Sequence, residues 1–246
     1  MTLLSVKDVA DYLKLSERTV YKLVREGRLP AARIGGVYRF RREEIDEWMR
    51  ATDSEAGRGD EGVLARLKKE PDQLKKRLLF MGLVNKRLGD QPEKPVIVGG
   101  AAVDFYTAGG YSTADIDVVF PSEPLEAVMK EFGFKKEGRH WFDEDLGIAL
   151  EAPSSFLDAE AKKRVVEVKI DGLSVFLLGV EDLIIDRLNA FVHWQSTDDG
   201  NWAKELIAIH SEELDWPSLS TAARKNKVDQ ALAIMAKELG LKDETS

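Results

Sequence analysis

Along the first fifty residues the apolar positions change period twice. Val6, Val9, Ala10 and Leu13 recur at helical spacing and fall on one face. Ser5 stands just before them with Asp8 three residues on, the spacing of a capping box. Leu15 closes a short turn. Ser16 can then cap a second helix with Val20, Leu23 and Val24 on its inner face, and Gly27 ends it. Ala32-Arg33-Ile34 and Val37-Tyr38-Arg39-Phe40 read as two extended runs around Gly35-Gly36, the dipeptide of a tight hairpin. From Arg41 the helical period returns, with Ile45 and Trp48 inward. Two short helices joined by a tight turn, followed by a hairpin, predict a helix-turn-helix with a wing; the second helix of such a unit can enter a DNA major groove.

The pattern then lapses. Residues 51–62 hold three glycines and no large apolar side chain, which predicts a flexible linker. Beyond it, Leu74, Leu78, Met81 and Leu88 form a helical stripe. A short apolar strand over 95–98 runs into Gly99-Gly100, a helix follows over 101–106, and 109–113 form a loop. The run 114–120 alternates and then turns apolar, as a half-buried strand does. Further strands are expected at 146–151, 164–170 and 172–178. An amphipathic helix is expected over 180–188, and helices near 199–210 and 217–239 form a cap. The expected organisation is a winged helix-turn-helix domain over 1–50, a linker over 51–62, and a domain over 63–246 of α/β (α+β) class with a small mixed sheet and C-terminal helices.

Charge sharpens this division. The chain of 246 residues has a formal net charge of −8, yet residues 1–50 carry a net +3 and the remainder −11. This asymmetry suggests a basic module that meets a polyanion, joined to one that does not bind it broadly, although +3 on 50 residues is also common for a solvated surface. The absence of cysteine excludes disulfides, thiolate zinc sites and cysteine nucleophiles. No apolar run approaches the roughly 18 residues of a membrane span, and the first residues lack a secretory apolar segment, so a cytoplasmic protein without membrane contact is expected. There is no Walker loop, no H-E-x-x-H and no G-x-S-x-G, and three scattered histidines give no histidine-rich metal site.

The remaining chemistry sits at 99–117. Side chains two apart on a strand share a face, so Asp115 and Asp117 present both carboxylates together. Such a pair can hold Mg²⁺, a hard cation that also keeps waters and substrate phosphates. Gly99 and Gly100 let backbone approach phosphate, the helix behind them offers free N–H groups, and Ser112 and Thr113 add hydroxyls.

Two resemblances follow. The segment from Leu4 to Met49, "SVKDVADYLKLSERTVYKLVREGRLPAARIGGVYRFRREEIDEWM" after Leu4, resembles the excisionase/MerR-like winged helix-turn-helix family. That resemblance implies double-stranded DNA as partner. Ser16, Arg18, Thr19 and Lys22 would face the groove, Tyr21 and Arg25 its edge, and Arg33, Arg39 and Arg41 the phosphates. One such module contacts a short site, so a homodimer or a partner is expected to share the binding.

The second resemblance covers 96–120. Strand, Gly-Gly, helix, loop and Ser/Thr-x-Asp-h-Asp-h, where h is apolar, resemble the polymerase-β-like nucleotidyltransferase superfamily, closest to its small bacterial branch found in toxin–antitoxin systems. Fourteen residues separate Gly100 from Asp115, somewhat more than the superfamily pattern. The resemblance implies Mg²⁺ or Mn²⁺, an NTP substrate, and transfer of a nucleoside monophosphate to a hydroxyl of RNA, protein or a small molecule. It also implies a third carboxylate on a neighbouring strand, for which Glu151 is the first choice, Glu167 the second and Asp171 a remote third. Arg187 would meet phosphate, with Asp186, His193 and Trp194 near the nucleotide; His140 is placed in a loop without a role. The alternative is a non-catalytic regulator or antitoxin-like protein that uses the fold to sense nucleotide or bind a partner.

Overall fold

The computed structural model describes residues 3–25, 29–35, 37–48 and 60–241. The chain divides into two compact units, Met1–Val63 and Leu64–Ser246.

In the first unit, β1 (Leu3–Leu4) leads into α1 (Val6–Leu13), whose N-terminus is closed by the Ser5–Asp8 capping box. α2 (Glu17–Arg25) begins at Ser16, whose Oγ accepts from the Thr19 N–H at 3.1 Å. β2 (Ala32–Ile34) and β3 (Val37–Arg41) pair antiparallel with Ile34 opposite Val37, and β1 completes a three-stranded sheet in the order β1-β3-β2; Gly36 of the expected turn lies outside the described residues. Helix α3 occupies 42–48. Val6, Val9, Ala10, Val20, Leu29, Phe40 and Ile45 form the core, each contributed by the apolar face its element's period creates. The helix stop expected at Gly27 lies outside the described residues, as do 51–59 of the expected linker; 60–62 are helical, opening α4 (Asp60–Leu67).

In the second unit, α5 (Gln73–Leu88) precedes β4 (Val96–Val98), α6 (Gly99–Tyr106) and β5 (Asp115–Val119). Then come α7 (Ser122–Glu131), the hairpin β6 (Lys135–Glu137) and β7 (His140–Asp143), and β8 (Ile148–Ser154). α8 (Ala159–Lys163) leads to β9 (Val166–Ile170) and β10 (Leu173–Leu177), followed by α9 (Val180–Trp194), α10 (Thr197–His210), α11 (Trp216–Asn226) and α12 (Asp229–Glu238). The sheet is mixed and, with seven strands in the order β6-β7-β8-β5-β4-β10-β9, larger than the small one expected. β5 lies at its centre, antiparallel to β4 and parallel to β8. Ile116 and Val118 are buried on one face of β5, so Asp115 and Asp117 are left on the other.

The single helix expected over 217–239 is two. Lys227 takes the left-handed conformation (φ +60°), its N–H bonds back to Ala223 and Arg224, and α12 starts afresh at Asp229. No helix of the described residues is long and apolar enough to cross a membrane.

Candidate active site

The register of three strands assembles the site. Asp117 on β5 lies opposite Glu151 on β8 and opposite Val98 on β4, the last residue before Gly99. Asp115, Asp117 and Glu151 each place a carboxylate oxygen within 4.8 Å of the others. Glu151 does not end its strand as expected but sits in its middle, and it is buried. Glu167 lies on β9 at the far edge of the sheet, exposed, where it accepts from Ser174 Oγ at 2.6 Å. Asp171 occupies the β9–β10 turn and pairs with Arg66 at 2.8 Å. Only Glu151 of the three joins the aspartates.

Gly99 and Gly100 have separate steric reasons. Gly99 has φ +59°, and a Cβ built there would overlap the Asp117 carboxylate. A Cβ on Gly100 would come within 2.8 Å of the Tyr111 ring and 3.1 Å of Thr113 Oγ1. The turn at the head of α6 is therefore pressed against both the carboxylates and the 107–114 loop. That loop is held in turn. Thr113 Oγ1 donates to Asp115 Oδ1 at 2.9 Å, and Arg77 of α5 donates to the Thr113 carbonyl at 2.9 Å. Arg77, itself half-buried, also forms an ion pair with the buried Asp104 of α6. Tyr111 meets Trp202 of α10 edge-to-face at 4.9 Å. Ser112 is exposed on the same loop.

Electrostatics distinguish the three acids. Asp117 is pushed up to about 6, first by burial and then by the charges of Asp115 and Glu151; Arg187 opposes this. Neither aspartate makes an ion pair among the described residues, whereas both oxygens of Glu151 are engaged. Arg139 Nε lies 2.6 Å from Oε1, and His140 Nδ1 lies 3.2 Å from Oε2. His140, expected in a loop without a role, is the first residue of β7 and stands opposite Glu151 in register. The run Lys-Lys-Glu-Gly-Arg-His-Trp-Phe carried the signal that was missed: two extended segments around Gly138-Arg139.

Arg187 is half-buried between two acids. Its Nη2 is 2.5 Å from Asp186 Oδ2 and its Nη1 2.6 Å from Asp199 Oδ1 of α10. Asp186 also lines a cleft of about 610 Å³ with Arg164, Asp182, Asn189, Ser218 and Asn226, large enough for a nucleotide. His193 is bonded to the Asn226 carbonyl, and Trp194 is 77 % exposed at the end of α9. Neither lines that cleft.

Residues 80–238 match the family model described as a nucleotidyltransferase of unknown function (DUF6036). The chain belongs to that nucleotidyltransferase family. Residues 3–53 match a second model, a helix-turn-helix domain, so the nucleotidyltransferase fold is joined in one chain to a unit of the excisionase-like type. Two Mycobacterium tuberculosis proteins are similar to that unit: "Putative DNA-binding protein MT0521" of strain CDC 1551 / Oshkosh and "Putative DNA-binding protein Rv0500A" of strain ATCC 25618 / H37Rv. Each is 36 % identical over 55 residues, which cover 22 % of this chain and 70 % of the relative.

In the helix-turn-helix unit, Ser16, Arg18, Tyr21, Lys22, Arg25 and Arg33 are exposed, and Thr19 and Arg39 are half-buried. Ser16 Oγ and Thr19 Oγ1 share a hydrogen bond of 2.8 Å, which spends much of their polarity on capping α2. Arg39 Nη1 donates to the Tyr38 carbonyl at 3.0 Å, and Arg41 pairs with Glu44 at 2.9 Å.

Proposed function

We propose that this chain is a DNA-binding, divalent-metal-dependent nucleotidyltransferase, which moves a nucleoside monophosphate from an NTP to a hydroxyl acceptor in the cytoplasm. The observation that carries the reading is the set of three carboxylates directly beside the Gly99–Gly100 turn. Burial first, and then the repulsion of Asp115 and Glu151, raises Asp117, and a hard divalent cation offsets both by supplying a counter-charge. Asp115, Asp117 and Glu151 would hold Mg²⁺ or Mn²⁺, which when bound neutralises phosphate charge and acidifies the attacking hydroxyl.

This chain's own groups do the rest. Gly99 and Gly100 admit the triphosphate to the backbone N–H groups at the head of α6, with the Ser112 and Thr113 hydroxyls alongside. Arg187 would exchange Asp199 for phosphate, and Asp186, which lines the cleft, would meet the nucleoside. The acceptor oxygen bonds to the α-phosphorus as the bond to pyrophosphate breaks; Glu151, on the acceptor side, takes the hydroxyl proton. Arg139 and His140 keep its carboxylate aimed at the site. In the other unit, α2 enters the major groove through Arg18 and Lys22, and Arg33 meets phosphate. A homodimer or a toxin–antitoxin partner would supply the second half of the DNA contact.

Isothermal titration of each NTP with and without Mn²⁺ tests the site. The expected result is metal-dependent binding that Asp115→Ala/Asp117→Ala abolishes while duplex DNA binding is retained. Absence of binding by the wild type at millimolar NTP overturns the reading. Binding without incorporation into any acceptor favours the sensing alternative.

A further inference from the structure

The sheet edge beyond Glu151 differs in charge from the rest of an acidic unit. Within 135–140 stand Lys135, Lys136, Arg139 and His140 against the single acid Glu137. Register sorts these side chains. Glu137, His140, Glu151 and Asp117 form one row across the face of the sheet, and Lys135, Phe142, Ala149 and Asp115 form the next. Lys135 and His140 of the hairpin therefore share the face of the carboxylates, while Lys136 lies on the opposite face over Trp141. Arg139 reaches Glu151 from the turn between β6 and β7.

Neither long side chain is used up. Arg139 is 72 % exposed and meets Glu151 Oε1 through Nε at 2.6 Å. Lys135 is 70 % exposed, its carboxylate neighbour Glu144 is 3.7 Å away and equally exposed, and its Nζ stands 5.9 Å from the Phe142 ring centroid. A largely exposed guanidinium beside three carboxylates, with a lysine and an aromatic face next to it, is donor chemistry for a phosphate flanked by a flat or apolar group.

We propose that Arg139 and Lys135 bind a phosphate group of the acceptor, so that the acceptor is a molecule carrying a phosphate close to the hydroxyl that reacts. This rests on the nucleotidyltransferase reading and names the substrate class for it. The trio would repel such an anion. The hairpin supplies the compensating charge on the side away from Gly99, where the donor triphosphate lies. The phosphate belongs either to the 3′ end of a nucleic acid strand or to a small phosphorylated alcohol, and both present the same group to Arg139.

The test uses full-length protein with saturating unlabelled duplex DNA to occupy the helix-turn-helix unit. Mn²⁺ and a non-transferable α,β-methylene ATP fill the donor side. Anisotropy of a short fluorescent single-stranded RNA with a free 3′ hydroxyl then reads the acceptor side, competed by ribose 5-phosphate or by ribose. Ribose 5-phosphate should compete and ribose should not. Arg139→Ala should weaken RNA binding about tenfold, as for loss of a charged phosphate contact. Lys135→Ala, which leaves both partners of Glu151 in place, should weaken it severalfold with analogue affinity unchanged. If RNA binds far more tightly than ribose 5-phosphate, the source is a nucleic acid end; comparable affinities point to a small phosphorylated alcohol. Equal competition by ribose, no binding of either phosphate probe, or unchanged affinity in both variants overturns the proposal alone. Failure of the analogue to bind overturns the nucleotidyltransferase reading and this proposal with it.

Discussion

The two units use their polar side chains in opposite ways. In the helix-turn-helix unit the basic residues stand outside a core of Val, Leu, Phe and Ile and cost the fold little. In the nucleotidyltransferase unit the reactive groups lie at the centre of the sheet, where burial and mutual repulsion push Asp117 up to about 6. A recognition surface can be laid over a finished fold. A constellation of like charges has to be held by the fold against its own repulsion, and here the bracing is visible: Thr113 on Asp115, Arg139 and His140 on Glu151, Arg77 on the loop between.

Two glycines with the same backbone conformation put that contrast to the sharpest test. Gly99 and Gly35 have φ +59° and +58°, but a Cβ on Gly99 meets the Asp117 carboxylate while one on Gly35 meets open space. Gly99→Ala should cost about 3 kcal/mol from positive-φ strain plus overpacking, and it should abolish Mn²⁺-dependent NTP binding. Gly35→Ala should cost only about 1 kcal/mol, the strain alone. Urea unfolding with NTP titration measures both, and equal costs would remove the contrast.

A smaller effect is expected on the recognition side. Arg33→Ala should weaken DNA binding uniformly across sequences and lower the slope of log K against log salt by about 1. Thermal stability and NTP affinity should not move. A sequence-selective loss would make Arg33 a reader of bases instead.

The smallest effect is one of pH. Asp117 must be ionised to hold a cation, and its proton comes off near 6 rather than 3.8. Mn²⁺ affinity should therefore rise as pH increases through about 6 and level off above 7. Because the folded state binds this proton more tightly than the unfolded chain, the same group favours folding at low pH and loses that contribution as pH rises from 4 to 7. Asp117→Asn should flatten both trends. An affinity already level at pH 5 would argue that Asp117 ionises as an ordinary carboxylate.

How much of this was legible in the sequence follows from separation along the chain. The capping box at Ser5, the pairing of 32–34 with 37–39 and the Asp115–Asp117 pair are local, and period and turn chemistry reveal them. Choosing Glu151 over Glu167 needed strand order as well, because both acids sit on strand-like runs and only register separates the central neighbour of β5 from the far edge. Arg139 and His140 escaped because a hairpin signal was present but its distance from the carboxylates was not. Asp104 had no signal at all: on its helix it reads as a solvated acid, and only packing against α5 buries it against Arg77.

That last pair has a consequence for heredity and for engineering. Arg77 lies 36 residues before Thr113, the residue whose carbonyl it anchors, and three residues before the matched family span begins. Any fragment cut at residue 80, and any transplant of the glycine–aspartate motif into another scaffold, would leave Asp104 as an interior anion with nothing to balance it. The inheritable module is therefore longer than its signature. Arg77 and Asp104 should change in step between descendants, as two halves of one character.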